Sequence, residues 1–429
     1  MKKKVLIVTY YWPPAGGPGV QRWLKFVKYL PEFNTQPQVF IPENPSYPIL
    51  DESLSKELPK SVKIHKKKII EPYALANLMA KKSTEKFSSG IITESNKQTK
   101  LQQLMLYVRG NYFIPDARKF WISPSIHEIK KILKKEKIYT LITTGPPHSL
   151  HLIGLGLKKE IPDLHWIADF RDPWTSISYH EELKLTEKTK EKHQELELRV
   201  LKNADQIVVT SFSTQTEFQQ KTFNPVHLIT NGYDERPYDE APALDEQFTF
   251  AHIGSLMKDR NPLHLWEVFS DLIKENKDFE SFFELDLIGK TASNVIDSIR
   301  EFGLENYLRT TDYLPHEEAL KKQESAQVLL LIEKNQTATK GIIPAKLFEY
   351  MSAKRPILAI GPTDWDVRKI LKKTNAGVGF GYNDQEKIKS YIKQQFSLFL
   401  KGKLAVSSTG IEAFSRKKIT QKLAEIIPN

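Results

Sequence analysis

The chain has 429 residues, 40% of them hydrophobic and 27% charged, a globular composition too long for one core and suited to two domains of roughly 200 residues each. It has no cysteine, which excludes disulfides, thiolate nucleophiles and cysteine-based zinc sites and makes a reducing, cytoplasmic compartment the expectation. The net charge of +11 is uneven: through Gly232 there are 35 Lys and Arg against 23 Asp and Glu, and residues 51–140 alone hold 19 against 9. Such a surface either attracts phosphate, on a lipid, a nucleic acid or a diphosphate-linked acceptor, or is simply solvated.

The sequence opens with Lys2-Lys-Lys and the apolar run Val5-Leu-Ile-Val, which breaks at Tyr10-Tyr-Trp-Pro-Pro with no small-residue cleavage site and reads as a first β-strand, Val5 to Thr9. A Pro/Gly loop from Pro13 to Gly19 and an amphipathic helix from about Val20 to Tyr29 follow. Further strands are expected at Gln38–Ile41, Val62–Ile64, Thr140–Thr143, Trp166–Asp169 and Gln206–Thr210, with helices from Pro124 to Lys135, capped by Ser123, and from Glu181 to Leu201. Alternating strands and helices imply a parallel, doubly wound sheet. From about Glu71 to Trp121 the alternation fails, marking an insertion that ends in Leu101-Gln-Gln-Leu-Met-Leu-Tyr-Val-Arg109 and an aromatic run.

After this first domain, 1–232, the acidic, proline-containing stretch 233–246 reads as a linker. A second alternation over 247–410 has strands at Phe248–Ile253, Phe283–Ile288, Tyr307–Thr311, Val328–Ile332 and Ile357–Ile360. A closing helix over 411–429 is long enough to reach back to the first domain. The longest apolar runs fall far short of the ~20 residues of a membrane span.

Residues that can carry chemistry sit at strand ends. Gly16-Gly17-Pro-Gly19 lets backbone approach a ligand after the first strand, although it is neither a G-x-G-x-x-G nor a Walker A motif. Thr144-Gly-Pro-Pro-His148-Ser and Asp169-Phe-Arg171-Asp172-Pro-Trp place His148, Arg171 and Asp172 toward one crevice, where an imidazole polarises a hydroxyl and a carboxylate takes its proton. In the second domain Gly254 opens the backbone, Ser255 offers a hydroxyl and Arg260 has a fork for a diphosphate. The densest signal is Gly341 to Ile360. Pro344 is expected at the first helical position, leaving the N–H groups of Ala345, Lys346 and Leu347 free for an anion, with Lys346 as a cation and Glu349 as a carboxylate for hydroxyls. The local alternative is a surface ion pair on an amphipathic helix. Asp364-Trp-Asp366 has a D-x-D form, but Asp364 is expected to cap the next helix, so no metal is assigned.

Together the glycine loop, Ile229-Thr-Asn-Gly-Tyr-Asp234, Gly254 to Arg260, Tyr313-Leu-Pro-His-Glu-Glu318, Pro344 to Pro356 and a closing helix resemble glycosyltransferase family 4, with its GT-B fold, in the bacterial subgroup that builds cell-surface polysaccharides. The resemblance implies an α/β chain of two Rossmann-like doubly wound domains facing across a cleft, with a nucleotide-sugar held mainly by the second. It places Arg260 on the diphosphate, Glu349 as the second glutamate of E-x7-E on the ribose, and Tyr313 and Leu314 beside the base. This sequence departs from the pattern in having Gly341 where the first glutamate belongs and Ser255 where a basic residue is frequent; Lys346 is expected to supply part of the phosphate contact.

The implied activity is retaining, metal-independent glycosyl transfer to a glycan or lipid-linked acceptor, with no cofactor beyond the nucleotide-diphosphate sugar. Asp172 or His148 is the expected catalytic residue, orienting the acceptor or sugar hydroxyl, and Gly17, Gly19, Arg171 and Leu347 complete the donor set. The basic insertion, with Leu101, Leu104, Met105 and Val108 at helical spacing, points either to docking on an anionic membrane surface at the inner face of the cell or to packing on the protein's own core. A nucleotide-sugar epimerase or a non-catalytic GT-B protein is the alternative. No nucleic-acid recognition motif is evident.

Overall fold

The computed structural model describes residues 2–71, 100–176, 183–236 and 240–428, and most of the basic insertion, 72–99, lies outside them. The chain divides into two compact units, one formed by Met1–Asn231 with Arg416–Asn429, the other by Gly232–Ser415.

In the first unit β1 (Lys3–Val8) leads through α1 (Pro18–Tyr29) to β2 (Thr35–Pro42) and β3 (Lys63–Lys67). After α2 (Lys100–Tyr112) and α3 (Ile122–Glu136) come β4 (Thr140–Gly145), α4 (Ser149–Glu160), β5 (His165–Phe170), α5 (Glu187–Asn203), β6 (Gln206–Val209), α6 (Phe212–Gln219) and β7 (Val226–Leu228). The seven strands are all parallel in the order β3-β2-β1-β4-β5-β6-β7. Val5 to Val8 are fully buried, which is why the run is continuous rather than alternating: helices cover both faces of such a sheet. The order reverses between β1 and β4, with Val5 opposite Thr140, and the carboxyl ends at such a reversal form a ligand crevice.

The second unit repeats the plan. It contains β8 (Phe248–Ile253), α7 (Leu263–Glu275), α8 (Lys277–Phe282), β9 (Phe283–Ile288), α9 (Ser293–Glu301), β10 (Leu308–Thr311), α10 (His316–Ser325) and β11 (Val328–Ile332). Then follow α11 (Lys346–Ser352), β12 (Ile357–Ile360), α12 (Asp366–Thr374), β13 (Gly377–Phe380) and α13 (Gln385–Leu400). Six parallel strands run β10-β9-β8-β11-β12-β13, reversing between β8 and β11. Phe248, Phe250, Phe269, Phe279, Phe283 and Phe396 fill one side of this sheet.

The closing helix α14 (Arg416–Ile426) is preceded by a 3-10 turn, Ile411–Phe414, and Ser415 separates the two. Ile419, Leu423, Ala424 and Ile427 bury themselves with Trp23, Phe26, Val27 and Leu30 of the first unit, and Lys3 Nζ donates to the Ile427 carbonyl at 2.7 Å. Other boundaries differ from expectation for local reasons. Trp121, not Ser123, is the N-cap of α3, and it lends no side-chain bond. Helix α5 starts only after Thr186, whose hydroxyl accepts the Thr189 amide, while residues 181–182 lie outside the description. Asp364 caps nothing: Trp365 is the N-cap of α12, and Asp366 is buried against Lys369.

Candidate functional site

At the reversal point of the second sheet, Gly254 follows β8 with φ of 117°, a conformation that L side chains rarely adopt. Its missing side chain also has a use. A Cβ there would lie 2.7 Å from Lys346 Nζ, so glycine lets the lysine of α11 reach across the end of β8. Helix α11 is held in place by Tyr350, whose hydroxyl accepts the Ile253 amide at 2.9 Å, and the preceding loop by Trp365 Nε1, which donates to the Ile342 carbonyl at 2.6 Å.

Lys346 Nζ stands 3.5 Å from His252 Nε2, while His252 Nδ1 donates to the Leu330 carbonyl at 3.1 Å. Burial, reinforced by Lys346, holds the His252 pKa well below its ordinary range, so the ring is neutral and turns its lone pair to the ammonium. Burial and the nearby Arg260 in turn pull Lys346 down to about 8, against the opposing pull of Glu333 and Glu349. Arg260 is forked onto Glu333, Nε to Oε1 at 3.1 Å and Nη2 to Oε2 at 3.2 Å, and Lys334 pairs with Asp259 beside it. Glu349, one turn along α11, accepts from Gln323 Nε2 at 3.3 Å. Ser255 is exposed and Leu314 half-buried, while Tyr313 is 82% exposed in the loop after β10.

The expected array of free helix N–H groups needs correction at Leu347. Pro344 lies two residues before α11 rather than in its first position, and the Leu347 amide donates to the Pro344 carbonyl at 3.0 Å. A tight turn has already satisfied it, and the Leu347 side chain is fully buried in the core. Beside the helix start, Lys346 and Arg260 bring two cations to the backbone opened at Gly254.

In the first unit Gly17, at φ 102°, begins α1. Gly19 receives Arg171: a Cβ on Gly19 would stand 1.4 Å from Arg171 Nη1. Arg171 Nη2 donates to the Pro146 carbonyl at 2.5 Å, tying the glycine loop to the end of β4. His148 stacks on Trp174 with centroids 4.8 Å apart and planes 4° from parallel. It lines a pocket of about 230 Å³ with Tyr11, Phe113, Arg109, Arg118 and His193 among the other walls. Trp174 Nε1 donates to His193 Nδ1 at 3.0 Å, and burial takes His193 down to about 4. Arg171 and Asp172 do not themselves line this pocket, but Arg171 reaches two of its walls, the Pro146 carbonyl and the Tyr11 ring. Arg171 also covers the glycine loop at Gly19. Asp172 is half-buried, its carboxyl pKa raised because burial outweighs the attraction of Arg171. Asp169 faces inward, taken by Arg22, Trp23 and Thr144 at 2.8 to 2.9 Å.

Sequence reasoning missed Glu333, His252 and the pocket walls Tyr11, Phe113 and Arg118. For Glu333 a signal existed, a single acid directly after the apolar run Val328–Ile332, at the carboxyl edge where parallel sheets bind ligands.

No family model and no curated protein matches the sequence. Solved structures do match in shape. TarM superposes with a TM-score of 0.63 at 10% identity, over 100% of this chain and 99% of its own, and a mutant of TarM from S. aureus gives 0.53 at 10% identity over 99% and 97%. WaaG, a glycosyltransferase involved in lipopolysaccharide biosynthesis, gives 0.55 at 12% identity over 99% and 100%. The fold is GT-B. A proposed UDP-N-acetylglucosamine 2-epimerase from Listeria monocytogenes also matches, at 0.56 and 10% identity over 99% and 95%, so this GT-B likeness fixes architecture and leaves chemistry to the site.

Proposed function

We propose that the chain is a glycosyltransferase of the family 4 type, moving a sugar from a nucleotide-diphosphate donor to a glycan or lipid-linked acceptor in surface polysaccharide synthesis, with retention and without a metal. The observation that carries this reading is the meeting of Lys346 and Arg260 at the glycine-opened end of β8. Two cations fixed at a sheet reversal suit a diphosphate, and they stabilise the charge that develops as it leaves. Glu349 is assigned to the ribose, Tyr313 and Leu314 to the base, and Gly254 and Ser255 to the phosphate loop. In the first unit Asp172 and His148 orient the acceptor hydroxyl, and in a retaining reaction the departing phosphate takes its proton. Gly17, Gly19 and Arg171 form the remaining donor-side loop. The S. aureus TarM solved with UDP supports a nucleotide as the ligand class.

The test is a thermal-shift panel of UDP, GDP, ADP and CMP with EDTA present, since a ligand that binds only the folded state raises the melting temperature. One nucleoside diphosphate is expected to stabilise the chain, and silence from all of them removes the reading. The epimerase-like neighbour supports a second reading, an enzyme that isomerises the sugar with no acceptor. Proton NMR of the responding nucleotide-sugar incubated alone distinguishes it, by the appearance of an epimer.

We further propose that the protein works in the cytoplasm at an anionic membrane. No helix among the described residues is long and apolar enough to cross one. Helix α2 shows Leu104 58% and Val108 37% exposed, with Tyr107 and Tyr112 alongside, while Met105 is half-buried; the Leu101 side chain lies outside the description. Sedimentation with anionic but not neutral liposomes is expected, and equal partition refutes the docking.

A further inference from the structure

Arg260 is one of the two cations on which the proposed function rests, yet the Nε and Nη2 edge of its guanidinium is already engaged by both oxygens of Glu333. Glu333 is 1% exposed. Its Oε1 also accepts the Lys334 amide at 2.9 Å, and Tyr382 donates its hydroxyl to the Glu333 carbonyl at 2.8 Å. The next residues repeat the pairing with the charges exchanged, Lys334 to Asp259. Two consecutive residues after β11 therefore clasp two consecutive residues of the 3-10 turn Lys258–Arg260 that follows β8, just beyond the carboxyl ends of two strands that pair in parallel through Val328 with Phe250 and Leu329 with Ala251.

A guanidinium has five N–H groups in a rigid plane. With the Nε–H and one Nη2–H committed to Glu333, the Nη1 pair and the outer Nη2–H remain on the opposite edge. An arginine held this way need not be ordered when a ligand arrives, which lowers the cost of binding.

We propose that Glu333 is a positioning residue: it presents the Nη1 edge of Arg260 to the diphosphate and offsets one of the site's two cations until the diphosphate arrives. The inference deepens the nucleotide-sugar reading of this site and rests on it.

The experiment is calorimetric titration of whichever of UDP, GDP or ADP stabilises the chain, from about pH 6.5 to 9.5, on the wild type, Glu333→Gln and Glu333→Asp, each with and without Arg260→Lys. The ionisable groups facing Lys346 are His252 from β8, Arg260 from the turn, Glu333 after β11 and Glu349 on α11 itself. Removing the Glu333 charge takes away one attraction for the ammonium, so in Glu333→Gln the loss of affinity at high pH begins at a lower pH than in the wild type. Arg260→Lys, which gives up the fork, is expected to weaken binding about tenfold in the wild type and less than about threefold in Glu333→Gln, where no edge is held. Glu333→Asp keeps the charge but not the reach, so it restores the pH onset and not the cost of Arg260→Lys. A residue of purely structural value would lower the melting temperature in both variants while leaving the pH onset and the Arg260→Lys cost unchanged; that result overturns the proposal. If the wild type binds none of the three nucleotides, the nucleotide reading falls and takes this inference with it. If the wild type binds and Glu333→Gln gives the same affinities at every pH, only the positioning role falls.

Discussion

Lys346 has its ammonium partly withdrawn from water and Arg260 as a neighbour, and its pKa of about 8 is the sum of those effects against two carboxylates. A bound diphosphate favours the ammonium, so the pKa in the complex lies above that of the free protein. Binding then takes up a proton wherever the pH exceeds about 8. Affinity is full below that value and falls above it, by up to about tenfold per pH unit, until the pKa of the complex is reached. Lys346→Arg carries a charge that does not titrate and should flatten the profile between about pH 7 and 10. A wild-type profile already flat over that range would separate Lys346 from the phosphate. In the first unit the residue to test is Asp169, 1% exposed and bonded to Arg22, Trp23 and Thr144. Arg22 also donates to the carbonyls of Ile229 and Thr230, so this pair binds the ends of β4 and β5 to the segment after β7. Asp169→Ala leaves a buried guanidinium uncompensated and should cost about 3–5 kcal/mol, read as a lowered midpoint in urea; an unchanged midpoint would mean the carbonyls alone satisfy Arg22.

Elements were legible where burial writes a plain pattern. Val5–Val8, Phe248–Ile253 and Val328–Ile332 are strands covered on both faces, and their unbroken apolar runs announce them. Strands β7 and β13 escaped notice because they are short outer strands: three residues in one, and Gly-Val-Gly-Phe in the other. Glycine in that strand lies against its neighbour, where a Cβ on Gly377 would meet the Ile357 carbonyl at 2.2 Å, so a residue that argues against a strand is required by this one. Gly254, Arg260 and Lys346 were readable as loop and helix-start residues. Glu333 is readable only as an acid at a strand end; its pairing with Arg260 is not, because the two are 73 residues apart and only the adjacency of β8 and β11 joins them. The closing helix illustrates the same limit: its apolar spacing is visible, but its place among Trp23, Phe26 and Leu30 is not. Leu423, 1% exposed there, predicts a cost of about 2–5 kcal/mol for Leu423→Ala, measurable by denaturant unfolding followed through tryptophan fluorescence. A loss below about 1 kcal/mol would show α14 to be a loosely attached tail.

For the whole chain, the arrangement of segments has an energetic consequence. The first unit is built from both ends of the sequence and the second from the middle, and each has its own hydrophobic clusters. Unfolding the second unit merely turns the stretch between Asn231 and Arg416 into a longer loop. Loop closure grows only logarithmically, about 0.6 kcal/mol for each doubling of length, too little to detach a helix that buries Ile419, Leu423 and Ile427. The first unit should therefore stay folded while the second opens. A nucleoside diphosphate without the sugar, whose assigned contacts Lys346, Arg260, Glu349, Tyr313 and Leu314 all lie in the second unit, would then stabilise that unit alone, by about 2.7 kcal/mol at a hundred times its Kd. In hydrogen exchange the slowest amides of β8 and β11 should slow by about a hundredfold with saturating nucleotide, while those of Val5 to Val8 in β1 keep their rates. Equal slowing in both sheets would show instead that the two units open as one cooperative body.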